Sequence, residues 1–207
     1  MHKNPSFDRE DKLLNGTIDL VFGMDEVGRG SFAGPLVASA VCFTKEFKWF
    51  KEVNDSKLLT HKKRKQLSKL ILKNSISFVE LIDLEIIDEF GIGEANRLIF
   101  ENLVKRISNE YKKRKIFFLV DGRKKKINIK DIEFIVKGDQ KSISIAASSI
   151  IAKVYRDELM KRLGKEYKGY NFSKNKGYGT QFHQKAIKKL GLSEIHRKSF
   201  KLQKFLG

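Results

Sequence analysis

Three apolar runs in this 207-residue chain each give way to acids and glycine, and that pattern constrains the fold more than anything else in the sequence. Ile18 to Phe22 runs on to Asp25 and Glu26, Ile116 to Val120 meets Asp121-Gly122, and Ile132 to Val136 meets Lys137-Gly138-Asp139. Short continuous apolar runs bounded by charged or turn residues are the mark of buried strands. Alternating with helical stretches, such strands predict an α/β domain whose site lies at the strand termini.

The stretches between the runs fit that reading. Leu36 to Phe43 and Ile76 to Ile82 are two further strand candidates, the first paired with Ile18 to Asp25 across a glycine-rich loop. Thr60 is placed to cap a helix over His61 to Lys73. Leu84 to Arg114 reads as helix in two pieces divided at Gly91 and Gly93. A long helix over Lys141 to Leu163 presents Ile143, Ala146, Ala147 and Ile150 to the sheet. Residues 1–15 are polar and read as a loosely held N-terminal arm, and 16–163 read as the main α/β domain. The glycine- and lysine-rich segment from Gly164 opens a C-terminal extension, 164–207, with a helix over Gln181 to Leu190.

Taken singly, each acid has an ordinary explanation, since Asp before Gly is common turn chemistry and Asp at a helix start is a cap. Four of them, Asp25, Glu26, Asp121 and Asp139, at the points where apolar strands end would repel one another unless cations held them. With no Cys/His cluster beside them, oxygen ligands favour a hard ion, Mg²⁺ or Mn²⁺, and two such ions would serve in-line phosphodiester hydrolysis. Adjacent strand residues point to opposite faces, so Asp25 and Glu26 share a site only where the strand twists or ends. Asp55, Asp83, Asp88, Asp131 and Asp157 lack this setting and read as caps, surface charges or ion-pair partners. Asp157 is the first of them to reconsider.

Composition narrows the partner. A formal net charge of +18, with basic runs at His61 to Lys65 and Arg123 to Lys126, points to a polyanion such as nucleic acid. The single cysteine, Cys42, has no internal disulfide partner and reads as a small buried thiol in a reducing compartment. No apolar stretch approaches the roughly 20 residues that span a bilayer, and the N-terminus lacks a signal-peptide apolar region. A cytoplasmic protein off the membrane is expected, and nothing demands more than a monomer.

The blocks GMDEVGRGSFAGP, NDSKLL, VDG, KGDQKSISIAASSIIAKVYRD, NKGYGT and HRKSF, in this order and spacing, resemble ribonuclease HII from about Gly23 to Phe200. The resemblance implies the ribonuclease H fold, a five-stranded mixed sheet flanked by helices, with a small C-terminal helical extension that contributes to substrate binding. It implies hydrolysis of the RNA strand of RNA–DNA hybrids and nicking 5′ of ribonucleotides embedded in duplex DNA, leaving 3′-hydroxyl and 5′-phosphate ends. The family's metal-binding carboxylates fall on Asp25, Glu26, Asp121 and Asp139. Its glycine-arginine-glycine loop, which meets the ribose 2′-hydroxyl, falls on Gly28, Arg29 and Gly30, and its sugar-testing tyrosine on Tyr178. Ser56 and Lys57 resemble phosphate contacts. Ser31 stands where many members have proline, and Leu58 where a second lysine is usual. Arg29 and the short N-terminus distinguish the chain from ribonuclease HIII. The competing class is a basic, non-catalytic nucleic-acid-binding protein in which the acids are structural. In the tail KLQKFLG, Phe205 and Leu206 read as packing residues.

Overall fold

A computed structural model describes residues 4–124, 127 and 129–206; half of the basic run at 123–126 therefore lies outside the described residues. Five strands, β1 (Leu20–Val27), β2 (Leu36–Cys42), β3 (Ile76–Ile82), β4 (Ile116–Asp121) and β5 (Ile132–Ile135), form one sheet in the order β3-β2-β1-β4-β5. The pairs β1–β2 and β2–β3 are antiparallel, and β1–β4 and β4–β5 are parallel. The expected mixed sheet is thus present, with β1 at its centre. Six α-helices accompany it among the described residues: α1 (Asp8–Leu14), α2 (His61–Asn74), α3 (Leu84–Glu110), α4 (Ile143–Glu166), α5 (Phe172–Asn175) and α6 (Gln181–Leu190).

Side-chain alternation along β1 splits the core in two. Phe22 and Met24 join Phe118, Val120 and the Ile99–Ile107 face of α3 on one side. Val21 joins Leu119, Ile135 and the α4 residue Ile145 on the other. Helix α4 runs very close behind β1, because Gly23 has no side chain: a Cβ there would stand 2.2 Å from Ile145 N and from the Ser144 carbonyl carbon. Thr60, Ser142 and Thr180 cap α2, α4 and α6 through side-chain oxygens that accept from Lys63, Ile145 and His183 N–H groups. Helix α3 breaks only at Gly91, whose φ of 80° and ψ of 159° no helix accommodates.

Four sequence expectations need correction. The N-terminal arm is not loosely held: Phe7 and Glu10 are buried, and the Glu10 carboxylate accepts from Ser142 Oγ (2.6 Å) and Ser144 N (2.8 Å) at the start of α4. A polar composition concealed an acid at a helix N-terminus, where burial raises its pKa although the hydrogen bonds from Ser142 and Ser144 work the other way. Strand β1 does not end at its acids; pairing with β2 carries it on to Val27. Strand β5 is not a buried strand but a four-residue edge, with Glu133 exposed. Leu206 does not pack, being 43% exposed, whereas Phe205 stacks on Phe32 at 5.5 Å. Cys42 is buried as expected, which pushes its thiol up to about 12. Among the described residues, no helix is long and apolar enough to cross a membrane.

Candidate active site

Topology brings the acids together from distant parts of the chain. In the parallel β1–β4 pair Met24 lies opposite Val120, so Asp25 and Asp121 follow side by side on the α4 face. That ladder stops at Met24, while β1 stays paired to β2 through Val27. Asp25 and Glu26 therefore stand beyond the β4 ladder, which lets side chains of opposite parity line one cleft. Asp139 arrives on the tight turn before α4, and this turn is fastened to β4 by Gly138 N donating to Asp121 Oδ1 (2.6 Å).

The supports are polar and short. Ser148 on α4 accepts from Asp25 N (2.9 Å) and donates to Ser39 O (2.7 Å), while Ser39 Oγ donates to Ser148 O (2.8 Å). This reciprocal pair locks α4 to β1 and β2 at the level of the acids. Glu26 N donates to Asp25 Oδ1 (2.7 Å), and Arg29 Nη1 stands 3.6 Å from Glu26 Oε1.

A cleft of about 450 Å³ is lined by Asp25, Glu26, Asp121, Lys57, Lys153 and Tyr178, among others. Its electrostatics are those of crowded acids. Burial first, then the charges of Glu26 and Asp121, hold the Asp25 carboxyl well above the usual carboxylate range. Asp139 is pushed up to about 6 by burial and by Asp55 and Asp121. Burial would lower Lys57, but the charges of Asp55, Asp139, Asp25 and Asp121 outweigh it and raise its pKa. Hard oxygen donors that raise one another's proton affinity fit a divalent cation, which would relieve the repulsion.

The remaining sequence candidates border the same region. Gly28 has a φ of +98°, and the N–H groups of Gly28, Arg29 and Gly30 have no partner among the described residues. Arg29 lies on a second cleft of about 610 Å³, together with Glu26, Asp121, Asn96, Arg123 and Lys124. Tyr178 forms a bridge with Ser31, next to the glycine loop, and lines the first cleft. Ser31, in place of proline, keeps an N–H that donates to Gly28 O (3.2 Å) and closes the loop. Ser56 is buried beside Lys57 on the cleft wall.

Several site residues were not singled out from sequence. Asp55 does cap a turn, its carboxylate accepting from Lys57 N (2.9 Å), but its charge also acts on Asp139. Lys153 lines the cleft, held by Asp157 at 2.8 Å across one helical turn. The i,i+4 spacing of that pair and the serines on the small-residue face of α4 were the available signals.

Residues 22–203 match the model of the family described as ribonuclease HII. The ribonuclease HII of Clostridium botulinum (strain Loch Maree / Type A3) is 48% identical over 186 residues, covering 87% of this chain and 67% of its own. That of Fusobacterium nucleatum subsp. nucleatum is 46% identical over 193 residues, covering 90% and 87%. Among solved structures, the ribonuclease HII in complex with PCNA from Archaeoglobus fulgidus superposes with a TM-score of 0.73, covering 88% of this chain and 95% of that one. At 24% identity this last likeness concerns the fold. With a family match over most of its length and relatives near half identity, the chain belongs to the ribonuclease HII family of endoribonucleases.

Proposed function

We propose that this chain hydrolyses the RNA strand of RNA–DNA hybrids and nicks 5′ of single ribonucleotides in duplex DNA, leaving 3′-hydroxyl and 5′-phosphate ends. One observation carries the reading: Asp25, Glu26 and Asp121 line a single cleft, Asp139 is electrostatically coupled to them, and the glycine loop and Tyr178 stand at its rim. Asp25, Glu26, Asp121 and Asp139 would hold two Mg²⁺ or Mn²⁺ ions. Such ions supply an activated water and stabilise the leaving oxygen.

The chain's own groups do the rest. The open N–H groups of Gly28, Arg29 and Gly30 receive the 2′-hydroxyl and the neighbouring phosphate, the one hydroxyl that separates RNA from DNA. The Tyr178 ring packs on the following sugar, where a second hydroxyl would clash. Lys57 and Ser56 engage the phosphate backbone, and Lys153, between Asp157 and the Tyr178 ring, places a further cation on the cleft wall.

The test is a DNA duplex carrying one ribonucleotide, incubated with Mg²⁺ or Mn²⁺. A metal-dependent nick on the 5′ side of the ribonucleotide is expected, and its absence with both ions removes the enzymatic reading. Asp25→Asn should lower the cleavage rate by about 10³-fold, on the scale of lost catalytic groups, while hybrid binding persists. Near wild-type cleavage by that variant would sink the ion assignment.

A further inference from the structure

Two arginines lie fully buried beneath the recognition loop, and every hydrogen bond they make goes to a backbone carbonyl. Arg156, on α4, donates from Nε to Pro35 O (3.0 Å), from Nη2 to Ala33 O (3.0 Å) and from Nη1 to Lys176 O (2.8 Å). Arg197, in the C-terminal segment, donates from Nε and Nη2 to Gly34 O (3.0 and 2.8 Å) and from Nη1 to Arg29 O (3.0 Å). Burial pulls both guanidiniums below their ordinary value, and Arg156's charge helps to bring Arg197 down to about 9. Apolar residues of the same volume would fill this space at a lower desolvation cost. What the guanidiniums contribute is therefore what they hold.

They hold one edge of the loop. The carbonyls of Arg29, Ala33, Gly34 and Pro35 are drawn down onto charged forks, the strongest neutral-backbone hydrogen bonds available to a side chain. The N–H groups of Gly28, Arg29 and Gly30, by contrast, are left without partners among the described residues. Gly28 rests directly on the clasp, since a Cβ there would meet Arg156 Nε at 2.3 Å. The same Arg156 guanidinium lies 5.6 Å from the centre of the Tyr178 ring. One rigid plug thus sits under both groups that face the ribonucleotide sugar and its neighbour.

We propose that Arg156 and Arg197 are positioning residues that set ribose discrimination: by fixing the carbonyl edge of the loop they turn its amide edge toward the 2′-hydroxyl. The proposal rests on the ribonuclease reading above. Lysine at either position keeps a charge but cannot fork, so the carbonyls regain freedom to rotate into the groove and compete with substrate oxygens.

The test measures affinity for a duplex with one ribonucleotide and for the matched all-DNA duplex, in Ca²⁺ to suppress cleavage, using wild type, Arg197→Lys and Arg156→Lys. The ratio of the two affinities should fall about tenfold in each variant, on the scale of a charged hydrogen bond, while all-DNA affinity is unchanged. A folded variant that keeps the full ratio overturns the proposal. Should both variants fail to fold by circular dichroism, Arg156→Gln and Arg197→Gln, which keep one planar N–H donor without the charged fork, take their place: the ratio should fall in the same way, and a folded glutamine variant with the full ratio overturns the proposal. A wild type with no ribose preference at all refutes instead the functional reading beneath it.

Discussion

Gly23→Ala tests whether the close approach of α4 to β1 builds the site. The new Cβ would lie 2.2 Å from two backbone atoms of α4, whereas ordinary contact begins near 3.4 Å, so the helix must retreat by about 1.2 Å. Backbone atoms cannot rotate aside as a side chain would. Overpacking of this kind costs about 1–3 kcal/mol, which for a chain of this size lowers Tm by roughly 2–12 °C. The same retreat stretches the Asp25 N to Ser148 Oγ contact from 2.9 Å to roughly 4 Å, beyond hydrogen-bond range. Misplacing a catalytic group by about 1 Å costs on the order of 100-fold in rate. Thermal unfolding and single-turnover cleavage well below Tm read the two effects separately. Gly93→Ala is the control, because a Cβ there meets nothing within 4 Å; it should leave rate unchanged and hold or raise Tm. If Gly23→Ala kept wild-type Tm and rate, the tight strand–helix contact would not organise the acids.

Two further predictions concern pH. The Asp139 carboxyl has its folded pKa raised from 3.8 to about 6, so the folded state binds more protons than the unfolded one across that window, and stability falls as pH rises through it. Asp139→Asn should therefore stabilise the metal-free protein by about 1–2 kcal/mol more at pH 7 than at pH 4; urea melts in a chelator check this, and an equal effect at both pH values contradicts it. His196 behaves oppositely: burial and the neighbouring His183 lower it from 6.5 to about 4, its Nε2 lying 3.0 Å from that of His183. Stability should drop by on the order of 2 kcal/mol between pH 6.5 and 4, and His196→Asn should flatten that acid limb in melts across the range.

The strands were legible because their apolar runs are short, β-branched and sharply bounded, and the four acids because strand ends in α/β proteins are where sites form. Asp55 was legible as a cap but not as a member of the acid group, since local turn chemistry says nothing of what lies across the groove. Glu10 was hidden for a similar reason: its partners, Ser142 and Ser144, come more than 130 residues later. Arg156 and Arg197 looked like two charges among 43 basic residues, and only the fold reveals that nearly all their donors are spent on one loop, Arg156 sending the last to Lys176 O. Glu133 misled in the other direction, because a continuous apolar pattern around it read as buried when β5 lies at the open edge of the sheet.

The separation of the apolar clusters has a thermal consequence. The strands bearing Asp25 and Asp121 are anchored on one face in the largest apolar cluster and covered by α4 on the other, whereas α5, α6 and the loop beneath which Arg197 sits share a smaller cluster around Met160, Phe172 and Ile187. Regions with less buried apolar surface open first, so amides around Tyr178 should exchange with solvent long before those of β1. If Tyr178 and the glycine loop read the sugar as proposed, a molecule warmed toward its midpoint should lose its selectivity before its cleavage.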